Sequence, residues 1–105
     1  MIAASCHANE GVRIFDRTSF ARIKMAHGAH PFVVMLWSMD CTYCEESFAA
    51  LADVQRKHGI QVVTVVMDRI TDQQTAESVQ KKIRSFGLKS EVWSFGSEPI
   101  VPAPL

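Results

Sequence analysis

The sequence lacks an excess of charge of either sign: eleven Lys and Arg balance eleven Asp and Glu over 105 residues. A neutral chain has no electrostatic footprint for nucleic acid. Its densest basic cluster, Lys81-Lys82 with Arg84, alternates with apolar positions as a solvated helix face does. Long apolar runs are missing too, and no stretch reaches the roughly 20 residues of a membrane-spanning helix. Internal repeats and low-complexity segments are absent, which excludes solenoids and compositionally disordered chains. Cysteine is scarce: three residues cannot build the disulfide framework of a small secreted scaffold. What remains is an ordinary globular composition, long enough for one domain with a modest core.

Two of the cysteines are close together, in Cys41-Thr42-Tyr43-Cys44. Before them runs Phe32-Val33-Val34-Met35-Leu36-Trp37, without a polar residue, which reads as a strand buried on both faces in a parallel sheet. After them Phe48, Leu51 and Ala52 continue one helix face from Cys44, and the pattern runs out at Lys57-His58 before Gly59. Cys41 is therefore expected at the mouth of a helix N-terminus, with Cys44 deeper. Unpaired N–H groups and the positive end of the helix dipole favour a thiolate at Cys41, below the free pKa of ~8.5. A fall to ~7 would raise the thiolate fraction at neutral pH from roughly 3% to about half. Cys41 is then the nucleophile, and the more recessed Cys44 resolves the mixed disulfide.

Other uses of the pair are weaker. A staple across about four residues restricts the unfolded chain by only ~1.9 kcal/mol, against ~4.7 for a hundred-residue loop. A zinc site needs about four ligands, commonly as two spaced pairs, and the remaining cysteine, Cys6, has only His7 beside it. His27, His30 and His58 fall at helix ends or in loops, and Met39 could add a soft ligand for copper only if the thiols joined it. A copper or zinc carrier, or a redox-inert binding module, is the alternative function.

Along the chain, Val12 to Phe15 reads as a short strand, and Asp16 and Thr18 start a helix carrying Phe20, Ile23 and Met25 or Ala26 before Gly28. Ile60 to Met67 is β-branched almost throughout and reads as a second central strand ending at Asp68. Thr71-Asp72 caps a helix with Ala76, Val79, Ile83 and Phe86 on one face and Gly87 after it. Glu91 to Phe95 is the last strand, and Pro99, Pro102 and Pro104 make an irregular tail. Strands separated by such helices imply a mainly parallel sheet. Met35 and Met67 are expected in the core, and Trp93 in packing. The first eight residues resemble the tail of an export signal, with Cys6 and Ala8 in a small-x-small pattern. Ala3 to Cys6 is loosely similar to a lipobox without its leucine, and a frayed start is the plain alternative. On the export reading the domain spans 9–105 and holds only Cys41 and Cys44.

Pro31 to Cys44, an apolar strand with a tryptophan four residues before a CxxC that opens a helix, resembles the thioredoxin superfamily, and within it the TlpA-like thiol-disulfide oxidoreductases of the bacterial envelope. The resemblance in element order covers roughly 12–95 and implies a three-layer α/β/α fold. It implies Cys41 as attacking and Cys44 as resolving thiol of a redox-active disulfide, with Trp37 flanking them. The partners it implies are protein dithiols or disulfides and an upstream electron donor. It further implies a periplasmic monomer, reduction as the direction, and no cofactor or metal. The chain departs from the pattern in Asp40 before the first cysteine, in Thr42-Tyr43 without a proline between the pair, and in Glu45-Glu46 after it. Acids there oppose a thiolate about as strongly as the dipole, at about 0.3 to 1 kcal/mol, supports it. Asp40 or Glu46 could instead accept a proton when Cys44 attacks. The family also sets a cis-proline beside the CxxC ahead of a final hairpin and helix; Pro99 is one candidate, and a shortened chain without those elements is the expectation.

Overall fold

The computed structural model describes residues 11–95, in the order β1 (Arg13–Phe15), α1 (Ser19–His27), β2 (Phe32–Trp37), α2 (Cys44–His58), β3 (Gln61–Val66), α3 (Gln73–Ser85) and β4 (Glu91–Phe95). The expectations for the leader, for Cys6, for Pro99 and for the tail lie outside these residues. The strands form one sheet in the order β1-β4-β3-β2, and every pairing is parallel, as strands alternating with helices require. The result is a mixed α/β fold of four parallel strands and three helices, consistent with a thioredoxin-like fold.

The alternating side chains of the strands divide the core in two. Trp37, Val62, Val66 and Val92 face Phe48 and Ala52 of α2 and Ala76, Val79 and Ile83 of α3. Val63, Val65 and Trp93 face Ile23 of α1 on the opposite side. The sheet thus separates α2 and α3 from α1, the three layers expected. Trp93 packs on the α1 side, with the guanidinium groups of Arg13 and Arg22 5.7 and 5.9 Å from its ring.

Three readings of the sequence need correction. β2 is an edge strand, not a central one: among the described residues only β3 pairs with it, and Leu36 is 62% exposed. Its uninterrupted apolar run therefore does not mean burial on both faces. In α1 the buried positions are Ser19 and Ile23, while Phe20 and Met25 are exposed. Ser19 is inside because its hydroxyl accepts the Asp16 N–H at 2.8 Å and closes the turn into the helix. Met67, just past β3, is 46% exposed, outside the core.

The helix ends follow the sequence signals. α2 stops at Gly59, whose φ of 67° is the left-handed conformation that glycine adopts without strain. Asp72 caps α3 by accepting the Thr75 N–H at 2.6 Å. That backbone hydrogen bond, then the one from the Thr75 side chain, holds the Asp72 carboxyl below its ordinary value of 3.8. Asp16, bonded first by the Thr18 hydroxyl and then by its N–H, is lowered from 3.8 in the same direction. A folded pKa below the unfolded one gives stability that is present above the unfolded value and is lost as pH falls through the folded one. The thermal midpoint is therefore expected to drop as pH falls below 3.8. Asp72→Asn, which can still cap but cannot titrate, should shrink that drop, and Asp72→Ala should lower the midpoint at neutral pH. Thermal melts between pH 2 and pH 7 check both; identical acid-side curves for wild type and Asp72→Asn would remove the cap from this account.

Candidate active site

The loop between β2 and α2 is held by long-range hydrogen bonds before it reaches the cysteines. Trp37 is buried, its ring edge-on to Phe48 at 4.9 Å, and its carbonyl accepts the Met67 N–H at 2.7 Å. Two residues on, the Met39 N–H donates to the Asp68 carboxylate at 2.7 Å, and the Met39 carbonyl accepts from Lys82 Nζ at 3.4 Å. Asp68 is itself fixed, because its carbonyl accepts the Ser94 hydroxyl of β4 at 2.9 Å. The two peptides that flank the Met39 α-carbon are thus gripped, one from the β3–α3 connection and the other from α3. The Met39 side chain packs against the larger core.

The chain then turns: the Cys41 N–H donates to the Ser38 carbonyl at 3.1 Å, and the Cys44 N–H reaches the Cys41 carbonyl at 3.3 Å. Cys44 is the first residue of α2, and Cys41 stands just outside the helix mouth. The two form a disulfide with an S–S distance of 2.15 Å and Cα atoms 5.3 Å apart. Cys44 N–H also donates to Cys41 Sγ at 3.1 Å. The N-cap residue, Tyr43, makes no side-chain cap hydrogen bond, and the sulfur of Cys41 accepts from the first N–H of α2 instead.

The two sulfurs are not equivalent. Cys44 packs against the core that contains Trp37 and Phe48. Cys41 carries the sulfur that faces the helix N–H, while both cysteines are half-buried and line, with Leu36, Tyr43 and Ser47, an open groove along β2. Thr42, Asp40 and Tyr43 are exposed around it, Tyr43 at 82%. The residues singled out in the sequence for flanking the pair, Trp37, Asp40, Thr42 and Tyr43, are therefore split: Trp37 supports the site from the core and the other three stand on its solvent side.

Two residues of this neighbourhood escaped the sequence reading. Asp68 looked like a strand end, and no local signal ties it to Met39, which is far away in the chain. Lys82 looked like part of a solvated helix face, yet its side chain is only 23% exposed and its Nζ lies 3.4 Å from the Glu45 carboxylate as well as from Met39 O. Its i−3 relation to Val79, which faces Trp37 and Phe48, was the available hint. Of the three described histidines, His30 and His58 are exposed, and His27 stacks on Phe32 with Nε2 3.4 Å from Glu91. Among the described residues no three His, Cys, Asp or Glu side chains come together as metal ligands.

A family model described as TraF, F plasmid transfer operon protein, matches residues 17–91. The chain belongs to this TraF family. The match covers α1 through the first residue of β4 and includes the whole Cys41 to Cys44 turn. No curated protein and no solved structure matches the chain. TraF membership together with a disulfide-bonded CxxC supports thioredoxin-like redox or disulfide chemistry. Among the described residues no helix is long and apolar enough to cross a membrane.

Proposed function

We propose that the protein is a thiol-disulfide oxidoreductase that exchanges electrons with protein partners through Cys41 and Cys44. The observation that carries this reading is the 3.1 Å contact from the Cys44 N–H to Cys41 Sγ at an uncapped helix mouth. An N–H that already points at a sulfur is a better donor to a thiolate, so reduction of the disulfide places the negative charge preferentially on Cys41.

In the reducing direction the Cys41 thiolate attacks one sulfur of a partner disulfide. An S–S bond forms between the proteins, and the partner's second sulfur leaves as a thiolate that takes up a proton. Cys44, after losing its proton, attacks Cys41 Sγ, restores the Cys41–Cys44 bond and releases the partner's first sulfur. Two electrons have then passed to the partner, and an upstream dithiol returns them by the same steps in reverse. Asp40 and Glu46 are the sequence-adjacent acids available to take the Cys44 proton. Likeness to the TlpA-like branch favours reduction as the direction, and the transfer-operon family favours the bacterial envelope as the place.

Insulin reduction in the presence of dithiothreitol, run alongside titration of the reduced protein with copper(I) and zinc, tests the reading. Catalysed precipitation of the insulin B chain is expected, with loss of turnover once the pair is oxidised and the donor withheld. Tight metal binding without turnover would replace the enzyme by a metal carrier.

A further inference from the structure

The cysteine pair sits among carboxylates. Asp40 precedes Cys41, Glu45 and Glu46 follow Cys44, and Asp68 is bonded to Met39. Each negative charge opposes a thiolate at the helix mouth. Lys82, reaching across from α3, brings a cation to this cluster: Nζ lies 3.4 Å from Glu45 Oε2 and 3.4 Å from the Met39 carbonyl. Its side chain is 23% exposed where that of Glu45 is 51% exposed, so Lys82 is packed along more of its length than its partner.

Resting on the redox reading above, we propose that Lys82 is a positioning residue for the pair: it offsets the Glu45 carboxylate beside Cys44 and holds the Met39 carbonyl two residues before Cys41, so that the thiolate forms at Cys41. Two separate effects follow from one contact set. Charge compensation acts through Glu45 and vanishes if Glu45 is neutral. Loop positioning acts through the Met39 carbonyl and is shared with Asp68, which holds the preceding peptide through the Met39 N–H and keeps the loop in place when Lys82 is replaced, so the alkylation midpoint reads the charge effect.

The test reads the thiol directly and needs no substrate, so it fails or succeeds independently of turnover in the insulin assay. Reduced wild type, Lys82→Met, Lys82→Arg, Glu45→Gln and the double variant are alkylated with iodoacetamide from pH 5 to pH 10, and Cys41 modification is followed by peptide mass spectrometry. Lys82→Met is expected to raise the Cys41 midpoint by about half a pH unit and to slow its alkylation at neutral pH about three-fold, the size of one uncompensated charge at a hydrated helix mouth. The glutathione equilibrium of the same variant should move toward the disulfide. Lys82→Arg should keep the wild-type midpoint, and adding Glu45→Gln to Lys82→Met should bring it back. Thermal midpoints of all five proteins separate these shifts from a general loss of structure, which Glu45→Gln would not repair. An unchanged midpoint in Lys82→Met, or a shift that Glu45→Gln fails to reverse, would overturn the proposal.

Discussion

Replacing Cys41 with Ser is expected to abolish insulin reduction while leaving the thermal midpoint of the protein close to that of the reduced wild type. The hydroxyl that replaces the thiol still accepts the Cys44 N–H, so the mouth of α2 keeps its acceptor. What is lost is the nucleophile: a serine hydroxyl without a base beside it does not attack a disulfide at neutral pH. Structure should suffer little in the variant, because the four-residue loop closed by the disulfide restrains the unfolded chain by only ~2 kcal/mol. Turnover and melting therefore separate. Residual activity above about 1% of wild type in Cys41→Ser, with Cys44 reduced, would show that attack starts at Cys44 and would reverse the two roles.

Phe48→Ala should give the largest loss of stability in the domain. The ring is fully buried, one helical turn after Cys44, edge-on to Trp37 at 4.9 Å and stacked on Phe86 at 5.5 Å. Truncation removes the joint between β2, α2 and the end of α3 and leaves a cavity beneath the cysteine turn. Such changes cost about 3–5 kcal/mol, a large part of the ~5–15 kcal/mol that holds a domain of this size together. The expected drop in thermal midpoint is on the order of 20 °C or more. Phe20→Ala, at a ring 48% exposed on α1, should cost less than about 1 kcal/mol. Paired thermal or urea melts check the contrast; equal losses in the two variants would mean that the core is not organised around Phe48.

The parts of the fold legible in the sequence are those whose pattern is local. α3 shows Ala76, Val79 and Ile83 at spacings of three and four between Asp72 and Gly87, and all three are buried. β3 is β-branched and lies between two strands, so its composition and its burial agree. The Cys41 to Cys44 turn was equally plain, because a CxxC at the junction of an apolar run and a helical period has few other uses. The illegible parts depend on neighbours distant in the chain. The apolar run of β2 does not state which strands lie beside it, and its edge position follows from the sheet order alone. Asp68 and Lys82 are ordinary residues locally and become part of the site only because β3 and α3 bring them to the backbone N–H and carbonyl of Met39. The acidic flank raised a doubt about the Cys41 thiolate that the sequence could not resolve, since the compensating cation is 37 positions from Glu45.

The central claim is that Cys41 attacks and Cys44 resolves, and the Cys44→Ser variant tests it most directly. Incubated with a partner disulfide under conditions where wild type turns over, this variant should accumulate a covalent complex that dithiothreitol releases. Peptide mass spectrometry should place its intermolecular bond on Cys41. Full turnover by Cys44→Ser without a trapped complex, in protein shown to be folded, would contradict the account.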